Sequence, residues 1–201
     1  MSGFKPVGME LIYSCYALGT TTTPTASPGS SMVGNYPPIV IPGGFFDKTG
    51  AWSSSLRLEM GGLASVTAVA WQFFLYGAIA TTTPPAFATT AFLGSSATFT
   101  PGATVTNSWW DAIIHIGLRT LALGNASTVS ATGKFRCPSF ASAAYAAGTP
   151  FEIPFPATGA YTPFATYDTT QSYVIWPAVA ITAGTAANTV TTQYVKLYGE
   201  V

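Results

Sequence analysis

The chain has 201 residues, with seven Lys/Arg against seven Asp/Glu and a formal net charge of zero. Charged residues are only 7% of it, against about 25% in an average soluble domain, and apolar residues are 48%. This balance excludes a phosphate-neutralising nucleic-acid surface and intrinsic disorder, and one His with two Cys leaves few ligands for a transition-metal site, so no cofactor is expected.

The length suits a single domain spanning residues 1–201, long enough to bury about 70% of its unfolded surface without staples. The opening MSGFKPVGMELIYSC lacks a basic start followed by an apolar core, so no secretory leader is expected. Asn125-Ala126-Ser127 matches a glycosylation sequon, but the N-terminus gives no sign of the secretory pathway in which it would matter. Glu10 to Leu18 reads as the first strand. Thr20 to Pro38 is a Thr/Pro/Ser/Gly loop, and Ile39 to Phe46 is apolar but broken by Pro42-Gly43-Gly44; together they form an irregular arm over about 20–46. Ser55 to Met60 puts Leu56, Leu58 and Met60 on one face and Arg57 and Glu59 on the other. Val66 to Tyr76 reads as a more buried strand. It lies inside Leu63 to Ala80, 18 residues without a charge and close to the lower limit for a membrane helix. Period-two alternation of Val69, Trp71, Phe73 and Leu75, with no basic flank, argues against a span, so no membrane is expected.

The clearest strand is Trp109 to Leu121, with Trp110, Ala112, Ile114, Ile116 and Leu118 on one face and Asp111, Ile113, His115, Gly117 and Arg119 on the other. Leu123-Gly124-Asn125 supplies a turn into Ser127 to Cys137, predicting a hairpin. Phe140 to Phe164 carries six aromatics and four prolines around a single charge, Glu152, with no strand or helix period. This irregular segment, 140–164, is too apolar to leave in water and should pack on something. Tyr173 to Ile181 and Thr189 to Tyr198 complete the strands. Seven or more strands with Gly/Pro/Thr punctuation predict an all-β protein: a β-sandwich, specifically a jelly roll, with long irregular Pro/Gly/Thr-rich loops or arms.

Enzyme chemistry fails on inventory: there is no G-x-S-x-G elbow, phosphate-binding glycine loop or H-E-x-x-H. Asp111, His115 and Arg119 would stack on a helix, but on a strand at about 3.3 Å per residue Asp111 and His115 stand roughly 13 Å apart. None of the seven carboxylates is spaced i, i+2 or i, i+4 from another. The chain is therefore read as no enzyme, with no catalytic, cofactor-binding or metal-binding residue. Arg57 and Glu59 are expected as cross-strand or intersubunit ion-pair partners, and Lys134 and Arg136 as a solvated or salt-bridged face. Trp71 and Trp110 fit inward positions, whereas Trp109 faces the other way. Cys15 and Cys137 are read as two buried thiols rather than a bridge.

A free monomer with so little charge would be poorly protected against self-association, which points to a permanent assembly. The expected contact residues are Tyr36, Phe45 and Phe46 in the first arm, Phe140, Tyr145, Phe151, Phe155, Tyr161 and Phe164 in the second, and Trp109 on the sheet. The low charge, the Ala/Thr/Gly richness and the terminal strand from Ala186 to Glu200 give the chain a resemblance to virion structural proteins of tailed bacteriophages. The pattern is similar to that of jelly-roll head decoration (cement) proteins, which sit as trimers on capsid lattices. That resemblance implies a homotrimer on the outer surface of a virion capsid, clamping the major capsid protein, with neither nucleic acid nor membrane as partner. Two further readings are a receptor- or carbohydrate-binding module of a fibre or tail, using exposed aromatics near Trp109 or Trp52, and a small single-jelly-roll coat protein.

Overall fold

The structure, a computed structural model, describes residues 9–16, 20–25, 29–33, 37–46, 55–67, 69–80, 92–101, 104–120, 127–137, 152–155, 164–181 and 187–200. Every element among them is a strand: β1 (Met9–Cys15), β2 (Thr20–Thr22), β3 (Ser30–Ser31), β4 (Ile39–Ile41), β5 (Ser55–Val66), β6 (Trp71–Ile79), β7 (Phe92–Ser95), β8 (Val105–Thr120), β9 (Ser127–Arg136), β10 (Glu152–Phe155), β11 (Phe164–Tyr167), β12 (Tyr173–Ile181) and β13 (Thr189–Glu200). They form two antiparallel sheets packed as a sandwich. The first runs β1-β13-β5-β8-β9-β10, with β2 on β13 and β11 on β9; the second runs β3-β12-β6-β7, with β4 on β12.

The order is nested. β1 pairs with β13, β4 with β12, β5 with β8 and β6 with β7, like one long antiparallel hairpin folded over on itself. Contacts of β13 with β5 and of β12 with β6 then complete the two sheets. β9, β10 and β11 lie between β8 and β12 in the chain and widen the first sheet.

Alternation decides what is inside. Leu56, Leu58, Met60, Trp110, Ala112, Ile114 and Ile116 from the first sheet meet Trp71, Phe73, Leu75, Ile175, Val179 and Ile181 from the second. Each such fully buried large apolar side chain contributes roughly 1.5–3 kcal/mol. Trp110 stacks on Phe135 with ring centroids 5.6 Å apart, and Phe73 adjoins both Phe135 and Phe155. Met32 ties the sheets together: its N–H donates to the Pro177 carbonyl at 2.9 Å, and its carbonyl accepts from the buried Thr192 hydroxyl at 2.5 Å.

Tyr173–Ile181 is a strand over the predicted residues, and the hairpin is β8 with β9. Other expectations change. The single strand predicted over Val66 to Tyr76 is the end of β5 and the start of β6, which belong to different sheets. The chain turns there because Asn188 Oδ1 accepts from both the backbone N–H (2.7 Å) and the hydroxyl (3.1 Å) of Thr67. The segments predicted to be irregular contain the short strands β2, β3, β4 and β10. Each is held by a longer neighbour rather than by its own alternation. β7 has no counterpart among the predicted strands.

Candidate functional site

Every charged residue that lies in a strand lies in the first sheet, and the strands of the second sheet carry none. The two outer faces of the sandwich therefore differ in chemistry.

On the first sheet the outward residues form cross-strand rows. One row runs Tyr194, Gly61, Asp111, Arg136, Glu152; the next runs Lys196, Glu59, Ile113, Lys134, Pro154. Arg136 donates through Nε and an Nη to the two Asp111 carboxylate oxygens at 2.6 and 2.8 Å, a forked geometry that adds strength over a single contact. That partnership holds the Arg136 guanidinium above its ordinary pKa. Lys134 donates to both oxygens of Glu152 at 3.1 and 3.3 Å. The expected salt-bridged face at Lys134 and Arg136 is thus present. Arg57 pairs at 2.5 Å with Glu59, two residues along its own strand. These pairs are partly exposed, so each contributes about 1 kcal/mol or less. His115 points outward from β8, directly across from Arg57 and Thr132, four strand residues away from Asp111.

Aromatic rings occupy the same face. Trp109 is 42% exposed and lies 6.1 Å from Tyr194, centroid to centroid, with the planes 24° apart. They belong to strands on either side of β5, and the Tyr194 ring crosses β5 above Gly61. A Cβ on Gly61 would come within 2.7 Å of Tyr194 Cε1, so the glycine makes the crossing possible. Lys196 Nζ sits 5.8 Å from the centre of the Tyr194 ring and 5.2 Å from that of Tyr16, which is 68% exposed. Burial raises the Tyr194 hydroxyl above its ordinary value; Asp111 and Glu59 add to the shift, while Lys196 and Arg136 oppose it.

The outer face of the second sheet carries Val40, Gln72, Phe74, Tyr76, Ala78, Val174 and Trp176. Phe74 stacks against Tyr76 at 5.8 Å, and Trp176 lies directly across from Tyr76. Tyr76 and Val174 are buried, and Phe74 and Trp176 are half-buried.

Three of the expected contact residues are internal. Phe155 packs edge-on against Phe73 at 5.7 Å and fills the space over Gly94, where a Cβ would come within 2.9 Å of its ring. Phe45 and Phe46 pack edge to face at 5.1 Å, and the Phe45 ring occupies the space beside Gly199. All three join the core, which leaves 6%, 5% and 3% of Phe45, Phe46 and Phe155 exposed, against the expectation of arms held out to a neighbour. Trp109 is on the surface as expected, and Trp71 and Trp110 are in the core. Phe164 lies in β11, its side chain outside the described residues. Tyr36, Phe140, Tyr145, Phe151 and Tyr161, together with Trp52, also lie outside them. Cys15 and Cys137 are free thiols; Cys137 is fully buried as expected, whereas Cys15, on the edge strand β1, is only half-buried.

Sequence reading missed Tyr16, Tyr194 and Lys196. A signal for them was present: Gly61-Gly62 inside a strand marks a close approach, and Tyr194 alternates with Lys196 and Tyr198 on one face of β13. Among the described residues no group of three His, Cys, Asp or Glu could hold a metal ion, and no helix is long and apolar enough to cross a membrane. No protein-family model, curated protein or solved structure matches this chain.

Proposed function

We propose that this chain is a virion structural protein, a head decoration (cement) protein that sits as a homotrimer on capsid subunits and stabilises the shell. The observation that carries this reading is the confinement of strand charges to one sheet. A sandwich with a charge-free second sheet suits permanent burial of that side, because a neutral face is desolvated without stranding an ion. Half-buried Phe74 and Trp176 supply the aromatic contact area favoured at interfaces. The nested strand order supports reading the sandwich as a jelly roll, an architecture of viral capsid and lectin domains. In this reading the second sheet faces the shell and the charged first sheet faces water. Contact passes through the sheet face rather than through Phe45, Phe46 or Phe155, and the protein performs no catalysis.

The test is co-sedimentation with purified empty heads that lack the protein. Wild type should pellet with the heads, and a Val40→Lys/Ala78→Glu variant, folded by far-UV circular dichroism, should stay in the supernatant. Wild type remaining in the supernatant, or both proteins pelleting equally, would refute the reading.

A further inference from the structure

We propose that the outer face of the first sheet holds a saccharide site for an acidic oligosaccharide, with pyranose rings seated on Trp109 and Tyr194 and a sugar carboxylate at Lys196. The inference goes beyond shell binding and does not rest on it.

Three observations carry it. First, Trp109 and Tyr194 are close to parallel, and at 6.1 Å they are offset rather than face-on, so they form one extended aromatic shelf. Gly61 keeps the strand between them clear, and Tyr16 continues the row beyond Lys196. The C–H face of a pyranose covers such a shelf, because its weakly positive hydrogens meet the negative face of the ring. Second, the shelf has a polar rim. The Asp111–Arg136 pair lies in the same row as Tyr194, its side chains 18% and 35% exposed, with lone pairs and N–H groups beyond those used in their fork. Third, the cations differ in their partners. Arg57, Lys134 and Arg136 each hold a carboxylate, whereas Lys196 lies against the rings of Tyr16 and Tyr194, and its charge stands at the end of the shelf.

The same features disfavour a second protein copy on this face. Seating one would desolvate the whole lattice of ion pairs, at a cost of several kcal/mol per buried ion. A sugar chain along the aromatic row covers only its edge.

The experiment is an array of acidic glycans containing hexuronate or sialic acid, beside their carboxyl-reduced counterparts. Titration of any bound glycan by tryptophan fluorescence follows. Binding to acidic members is expected, with roughly tenfold loss in Trp109→Ala and in Lys196→Gln, equivalent to about 1.4 kcal/mol. Both positions are exposed enough to leave folding intact, which circular dichroism checks. The proposal is overturned by no acidic glycan binding at roughly 1 mM, the weak end of measurable affinity. It is equally overturned if carboxyl-reduced glycans bind as well, if the variants bind like wild type, or if Trp109→Ala changes the oligomeric state instead.

Discussion

Trp109 and Trp110 are neighbours on β8 with opposite surroundings, and truncating each in turn tests the strand assignment and its facing. Trp110 is fully buried, stacks on Phe135 at 5.6 Å and donates its indole N–H to the Leu63 carbonyl at 3.2 Å. Trp110→Ala removes the ring and leaves a cavity between the sheets, costing about 3–5 kcal/mol. In a domain of this size each kcal/mol lowers Tm by about 2–4 °C, so a drop of roughly 6–20 °C is expected. Trp109 is 42% exposed and touches Tyr194 mainly through one offset stack. Losing that stack costs about 0.5–1.5 kcal/mol, or roughly 1–6 °C. Thermal melts followed by circular dichroism, with urea titrations to confirm a common m-value, measure both. Equal losses, or a larger loss for Trp109→Ala, would refute the inward and outward assignment of β8 and the site built on it.

Glycines in the first sheet separate in the same way. A Cβ on Gly133 would stand 2.1 Å from the Ile113 carbonyl oxygen and 2.7 Å from Ile114 Cα, so Gly133→Ala must pry β9 from β8, at about 1–3 kcal/mol or more. Gly117→Ala meets nothing closer than Ser55 Cβ at 4.0 Å and should be neutral or stabilising by up to about 1 kcal/mol; urea midpoints distinguish the two, and matching midpoints would contradict the register. Burial is the main cause that raises the hydroxyls of Tyr76, Tyr173 and Tyr194 above the ordinary tyrosine value of about 10. Their folded pKa values exceed the unfolded one, so their contribution is complete below pH 10 and is lost as pH rises past it; a Tm that stays level from about pH 9.5 to 11.5 would count against this burial. Ellman titration should find two free thiols, with Cys15 reacting in the native state well before Cys137, which is fully buried; equal native rates would contradict the packing at the end of β9.

Much of this architecture was legible in residue alternation. Trp110, Ala112, Ile114 and Ile116 announce their face of β8, and the same pattern separated Trp110 from Trp109 without a structure. The short strands were hidden for a physical reason. β10 contains Pro154, which offers no N–H to a ladder and breaks the local signal, yet it is tolerated because β10 closes the path of the first sheet and β9 is its ladder partner there. Its inward residues, Ile153 and Phe155, are fixed by Phe135 and Gly133 opposite them, which lie 18 and 22 residues earlier in the chain. The break between β5 and β6 is set by Asn188, 121 residues from Thr67, and no window of local sequence contains both. The aromatic shelf depends on register: Tyr194 reaches Trp109 only because β13 and β8 flank β5 with Gly61 between them. Alternation assigns a face to each residue but does not align three strands.

Sedimentation equilibrium of the purified protein measures the proposed trimer directly. A single species at three times the 20.9 kDa chain mass is the expected result. A monodisperse monomer across the whole micromolar range would contradict it.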